Sequence, residues 1–242
     1  MARGSRLGFR PSFWPTLTSV PALALLLGLG TWQLQRLEWK EALIARLDSR
    51  LAAPVMALPA RFADLDLLEY RRARVTGRFL HDREMYLLGH SPQGSAGFYV
   101  VTPLMRAHGP PVLVNRGWVP PALKDPARRP QSRPSAEVMV EGVIRKPQTA
   151  GWFTPANEPH KNQWFVLVPS EMGRAAGLKE VAPVYLQATA VEGRAGYPAG
   201  LPGQVTLRNP HLQYALTWYA LALALVVIYV LYHRGRARQG PK

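Results

Sequence analysis

The chain has 242 residues, a length that leaves one ordinary domain once its two longest apolar stretches are set aside. Its formal net charge is +15, but neither zinc-finger spacing nor an RNA-binding aromatic motif accompanies the Arg residues. No nucleic acid partner is therefore expected, and the charge suits anionic lipid head groups or an acidic protein instead. The absence of cysteine excludes disulfides, Cys-ligated zinc or iron–sulfur sites, thiol redox chemistry and thiolate-based copper carriage.

Residues 1–12 read as a short cytoplasmic N-terminus, basic through Arg3, Arg6 and Arg10. Residues 13–34 read as the first transmembrane helix, free of charge, rich in Leu and Ala, and long enough to cross a hydrocarbon core of about 30 Å. Pro21 near its start is tolerable because neighbouring groups can satisfy the freed carbonyl. No small-x-small cleavage site follows, which argues against a removed signal peptide. The helix is expected to run on into water through Gln35 to Leu51, with Leu37, Leu43, Ile44 and Leu47 at helical spacing, and to break at Pro54 and Pro59.

Residues 35–213 are expected to form one β-rich α+β domain outside the cytoplasm. Short β-like runs at Ala73–Phe79, Glu84–Leu88, Gly97–Leu104, Val112–Val114, Val138–Ile144, Gln163–Val168 and Val184–Ala188 are separated by Gly, Pro, Asp and Ser. No strand alternates with a long helix, so the expectation is an antiparallel sheet or partly closed barrel, with a short helix near Ser170–Ala176. Residues 122–136, rich in Pro and Arg, read as a mobile loop.

Residues 214–232 read as the second transmembrane helix, and residues 233–242 as a basic cytoplasmic tail through His233, Arg234, Arg236, Arg238 and Lys242. Both termini inside places the middle domain across the membrane. Ala24 with Gly28, and Ala220 with Ala224, form small-xxx-small pairs expected to meet between antiparallel helices.

No HExxH, GxSxG, Walker or dinucleotide fingerprint occurs, so no enzyme is expected. His81, His90, His108, His160 and His233 read as surface or loop residues. His211 differs, because Asn209 fits a helix cap, Pro210 fits a first turn, and Tyr214, Ala215, Trp218 and Ala222 follow His211 on one helical face. Two readings stand for it: a ligand to a flat group lying against the helix, or an interfacial His bonded to lipid head groups.

Five segments in order carry a family resemblance. Gly30-Thr31-Trp32-Gln33-Leu34-Gln35-Arg36, Thr102-Pro103-Leu104, Val112-Leu113-Val114-Asn115-Arg116-Gly117-Trp118-Val119-Pro120, Asn162-Gln163-Trp164 and Asn209-Pro210-His211-Leu212-Gln213-Tyr214-Ala215-Leu216-Thr217-Trp218 are similar to motifs of the Surfeit-locus protein one family. These proteins are assembly factors of haem–copper cytochrome oxidases. The resemblance implies an oxidase assembly factor of the bacterial inner membrane, with its main domain periplasmic and haem a as transient cargo for the oxidase catalytic subunit. The haem a synthesis enzyme is a further implied partner, and membrane lipid surrounds the spans. A scaffold that stabilises an oxidase intermediate without touching haem is the alternative. On this resemblance His211 is the implied iron ligand. Trp32, Trp218 and Tyr214 are candidates to flank the macrocycle, and Arg36, Arg208 and Arg116 to pair with its propionates. Arg116 has a second reading, in which Asn115 to Gly117 is only a strand end and tight turn.

Overall fold

The structure is a computed structural model that describes residues 11–189, 196–200 and 208–238. Arg3, Arg6, Arg10 and Lys242, which set the expected charge asymmetry, lie outside the described residues. The elements in chain order are α1 (Phe13–Ala52), β1 (Met56–Ala57), α2 (Leu65–Leu68), β2 (Arg72–Phe79), β3 (Met85–His90) and β4 (Ala96–Met105). There follow β5 (Val112–Val119), β6 (Val138–Arg145), β7 (Gln163–Trp164), α3 (Pro169–Ala175), β8 (Tyr185–Ala188) and α4 (His211–Arg238). The chain divides into two units: residues 1–46 with 206–242, and residues 47–205.

The first unit is an antiparallel helix pair, and both helices are long and apolar enough to cross a membrane. Helix α1 passes through Pro21 unbroken and ends at Ala52, just before the expected break at Pro54. Ser12, Thr16, Ser19, Leu23, Leu26, Gly30, Gln33 and Leu37 recur at steps of four and three and are all at least partly buried. Such a repeat keeps one seam of a helix against its partner. On α4 the corresponding seam runs through His211, Ala215, Trp218, Ala222, Leu225 and Tyr229. Polar contacts tie the seam at both ends. Thr31 Oγ1 lies 3.2 Å from Tyr219 Oη, and Thr16 Oγ1 lies 2.6 Å from Tyr229 Oη.

The expected meeting of Ala24 and Gly28 with Ala220 and Ala224 does not occur. All four are exposed, and a Cβ on Gly28 would touch nothing within 4 Å. The repeat that begins at Ser12 leaves them off the seam, and the small residues at the contact are Gly30, Ala215 and Ala222. His233 also departs from expectation, since it is fully buried. Its Nε2 accepts the Ser12 N–H at 3.0 Å and its Nδ1 lies 2.8 Å from the Tyr229 carbonyl oxygen, so it ties the end of α4 to the residue that precedes α1.

The second unit is the expected β-rich domain, built on one mixed eight-stranded sheet in the order β1-β2-β6-β8-β5-β4-β3-β7. An added pairing, Phe79 with Leu104 and Arg78 with Met105, joins β2 back to β4 and closes five strands into a barrel. Most pairings are antiparallel, but β1 joins β2, β7 joins β3 and β8 joins β5 in parallel. Ala73, Val75, Leu104, Val112, Val114, Ile144 and Leu186 fill one core. Met85, Leu87, Val101, Leu113, Trp164, Leu167 and Met172 form another, which covers the opposite face of β5 with α3. Burial on both faces explains why β5 reads as a continuous apolar run rather than an alternating one.

Strand β5 extends to Val119, beyond the expected end at Val114. Gly117 takes φ +123°, a conformation open to glycine, and Asn115 Oδ1 accepts its N–H at 3.1 Å. The strand therefore bulges against β4 instead of turning, and Trp118 continues the pairing with Tyr99. Residues 122–136 are not a loose loop. Three short 3₁₀ turns fold them back, and Arg129 is completely buried beneath them.

Candidate functional site

Pro210 occupies the cap position of α4, one residue later than the sequence suggested, and its carbonyl accepts the Tyr214 N–H at 3.2 Å. Asn209 is not the cap, and its Oδ1 has no hydrogen-bond partner among the described residues. His211 thereby becomes the first helical residue, where its side chain reaches back across the pair toward α1. Its Nδ1 meets Gln33 Oε1 at 2.8 Å. A carbonyl oxygen only accepts, so Nδ1 carries the proton and the lone pair falls on Nε2. No hydrogen bond is made to Nε2 among the described residues. A histidine that ligates iron needs this arrangement, one ring nitrogen held by an acceptor and the other free to donate its lone pair.

Gln33 was not among the residues singled out in the sequence. It lies in the Gly30 to Arg36 motif, and its position three residues after Gly30, on the same helical face, was the available signal.

The other expected residues distribute as follows. Tyr214 is exposed and Trp218 partly buried, three and seven residues beyond His211, while Ala215 and Ala222 are buried in the helix seam and offer no surface to a ligand. Trp32 is exposed beside Gln33, and Arg36 rests its guanidinium over Trp32 at 6.0 Å and over Trp39 at 4.7 Å. Arg208 is exposed just before α4. Arg36 and Arg208 make no ion pair with a described carboxylate, so both guanidiniums are available to an anion.

Arg116 belongs to the other unit and is already committed. It donates to the Ser132 carbonyl, lies 3.6 Å from Glu84 Oε2, and stacks over Phe79 at 4.6 Å. Burial pushes its guanidinium down to about 10, against the pull of Glu84. Glu84 is buried and pairs also with Arg129, while Tyr86 donates to it at 2.9 Å. The Tyr86 hydroxyl is pushed far above its ordinary value by burial and by the adjacent Glu84 charge. Arg129 further donates to the Leu123 carbonyl at 2.9 Å and to Ser132 Oγ at 3.1 Å. Glu84, Arg116 and Arg129 thus form a structural knot that pins residues 122–136 to the barrel. The reading of Asn115 to Gly117 as a backbone device fits the geometry.

The domain also has a half-open polar cavity of about 240 Å³, which Asn115, Arg145, Gln148, Tyr185 and Gln187 line in part. It contains no histidine.

Comparison with known proteins completes the picture. The sequence profile of the SURF1 family matches residues 20–223. The chain is 38% identical over 224 residues to Surfeit locus protein 1 of Homo sapiens, an alignment covering 86% of this chain and 73% of that protein. It is 37% identical to Surfeit locus protein 1 of Mus musculus over 223 residues, 86% of this chain and 71% of that one. A SURF1-like protein of Monosiga brevicollis is 36% identical over 241 residues, covering 94% of this chain and 90% of the relative. The matched span takes in Gln33 and His211.

Proposed function

The chain belongs to the SURF1 family, whose membership implies a role in cytochrome c oxidase assembly, and from that premise we propose that it carries haem a on the helix pair and passes it to the catalytic subunit. The observation that supports this reading is the His211–Gln33 pair, which fixes the imidazole tautomer and leaves Nε2 without a partner. A neutral imidazole nitrogen is a common axial ligand of haem iron.

The fit extends to the rest of the cargo. A lone histidine suits haem better than a bare ion, because no group of three or more His, Asp or Glu side chains able to hold a metal occurs among the described residues. Tyr214, Trp218 and Trp32 offer aromatic surface, and Arg36 and Arg208 offer planar forks to the propionates. The apolar tail of haem a favours a site on membrane helices over one inside a folded domain. Arg116 is left out of this site because Glu84 and Ser132 already occupy it. The role is that of a carrier and requires no bond to be made or broken in the cargo.

The chain is further proposed to lie in a bacterial inner membrane with both termini cytoplasmic and the β domain periplasmic, alongside the haem a synthesis enzyme. Export-dependent reporters fused at Lys242 should be silent and those near Gly151 active.

The deciding experiment is purification of wild-type and His211→Ala protein from cells making haem a. The variant keeps an acceptable helix residue and should accumulate normally. Its haem absorption should fall or its bands should shift. An unchanged spectrum at normal expression would transfer the role to a scaffold that holds an oxidase intermediate without touching haem.

A further inference from the structure

Three neighbouring strands put a polar patch on one face of the central sheet. Arg145 of β6 pairs with Tyr185 of β8, and Asn115 of β5 pairs with Gln187 of β8. Tyr185 and Gln187 are two residues apart and share a face, opposite to the buried Leu186 between them. The segments that follow β6 and β7 are tied to each other, since Gln148 exchanges bonds with Leu167 at 2.9 and 2.7 Å. The cavity of about 240 Å³ is lined by the four sheet residues together with Gln148 and Phe165 of those segments. Its hydrogen bonding is unbalanced. Asn115 and Tyr185 are buried. Asn115 Oδ1 accepts the Gly117 N–H at 3.1 Å and Gln148 Oε1 accepts that of Leu167, so the spare capacity of each amide is chiefly its NH2 group. Burial pushes the Tyr185 hydroxyl up, while the Arg145 charge and a Gln148 side-chain bond act the other way, so these three groups converge. The Arg145 Nε is buried with no hydrogen-bond partner, and its guanidinium lies over the Tyr70 ring at 4.7 Å. Arg145 makes no ion pair among the described residues. Glu69, an acid whose charge also reaches Tyr185, is held by Lys146 at 3.3 Å. No acidic side chain lines the cavity among the described residues. A buried donor without an acceptor is costly, so this set of donors calls for an anion.

We propose that this cavity binds a small organic carboxylate, whose oxygens are received by Arg145 and the neighbouring amide and hydroxyl donors and whose apolar body rests against Phe165. A guanidinium fork matches the two coplanar oxygens of a carboxylate. A phosphate dianion would meet one cation with two charges. Haem is not the ligand, because sites for drug-sized molecules measure about 300–1,000 Å³ and this cavity is smaller than that range. Every lining residue belongs to residues 47–205, so the site is separate from the helix pair and does not rest on the haem reading. Two sources share the chemistry, a free acid and the C-terminal carboxylate of a peptide.

The full chain in phosphatidylcholine nanodiscs is titrated with para-fluorobenzoate and followed by fluorine NMR, with empty nanodiscs as the blank. Saturable binding is expected, and para-fluorobenzamide and para-fluorophenyl phosphate should bind about tenfold more weakly or worse. Arg145→Gln removes the charge. Gln148→Glu keeps the acceptor for the Leu167 N–H but sets an acid beside Arg145. Each should weaken fluorobenzoate by a similar factor at an unchanged melting temperature. An N-acetylated dipeptide ending in phenylalanine separates the sources: tighter binding than fluorobenzoate assigns a chain terminus, and weaker binding assigns a free acid. Absence of saturable binding to the wild type overturns the proposal. So does equal or tighter binding of the amide or the phosphate, a comparison that needs no variant to fold. Fluorobenzoate binding that both substitutions leave intact overturns it as well.

Discussion

Gly30 and Tyr219 are packed so closely that no side chain fits between them: a Cβ on Gly30 would lie 2.8 Å from the Tyr219 ring. The contact lays the Tyr219 ring directly on the α1 backbone at the point where Thr31 bonds the Tyr219 hydroxyl, and a membrane helix pair depends on such close packing because lipid supplies no hydrophobic drive between helices.

Gly30→Leu should therefore lower the amount of folded protein and its melting temperature in detergent, on the scale of the ~1–3 kcal/mol that overpacking costs. Gly28→Leu, with nothing within 4 Å to strike, should leave both unchanged. Equal effects of the two substitutions would place the helix contact on another face.

Gln33→Leu removes the acceptor that holds His211 Nδ1 while keeping the size and helix propensity of the residue. Loss of a partner to a metal-bound histidine typically costs about 10–100-fold in affinity. If the chain carries haem as proposed, haem retention in purified protein should fall within that range without loss of expression, and Gln33→Glu, a stronger acceptor, should restore or exceed it. Unchanged haem titration in Gln33→Leu would mean that His211 is oriented by something else.

Much of this architecture was legible because its signals are local. Two uncharged apolar stretches of membrane length, most of the β-like runs between them and the short helix after Val168 appear where patterning put them, although the run expected over Gln163–Val168 is a strand only at Gln163–Trp164 and β1 carried no signal. The failures concern partners distant in sequence. Small-xxx-small spacing marks a helix face but does not say which face meets the partner; the heptad steps from Ser12 to Leu37 do, and they pass through Gly30 rather than Gly28. Asn115-Arg116-Gly117 has the composition of a turn, yet neighbouring strands on both sides keep it in the sheet as a bulge. Pro and Arg suggest a mobile loop at residues 122–136 only until one notices that Arg129 finds an acid 45 positions away. His211 stood out on its own, whereas its partner 178 positions earlier could be read only as part of a motif.

His81 supplies a pH dependence. Burial, and the nearby charges of Arg116 and Arg133, hold its imidazole below the ordinary value, against a hydrogen bond to the Pro134 carbonyl and the Glu84 charge. The folded state then binds this proton less readily than the unfolded chain does. Below about 6.5 the unfolded state gains protons that the folded state does not, so stability falls as pH drops through that window and is complete above it. Melting temperature measured between pH 5 and 8 should decline on the acid side, and His81→Gln should flatten that decline. A slope identical in the variant would assign it to carboxylates elsewhere.

The Glu84 knot makes an unequal prediction. One carboxylate answers two guanidiniums, Arg116 and Arg129, and Arg129 has no exposed surface at all. Arg129→Met leaves Glu84 paired with Arg116 and bonded by Tyr86, so the charge that remains is still compensated. Glu84→Gln leaves two buried cations without a counter-charge, and removal of one member of a buried pair typically costs ~3–5 kcal/mol. Urea unfolding should therefore rank Glu84→Gln as the more destabilised. Local opening should rank the other way. Arg129 alone ties the carbonyls of Leu123 and Lys124 and the Ser132 hydroxyl, so Arg129→Met should expose Lys124, Arg128 and Arg133 to trypsin under native conditions while the barrel stays folded. The double variant should be less destabilised than the sum of the singles by ~0.5–3 kcal/mol, because each single change already breaks the same contact. Strict additivity, with trypsin cutting no faster in Arg129→Met, would show that residues 122–136 hold to the barrel by their own turns and not through the buried arginine.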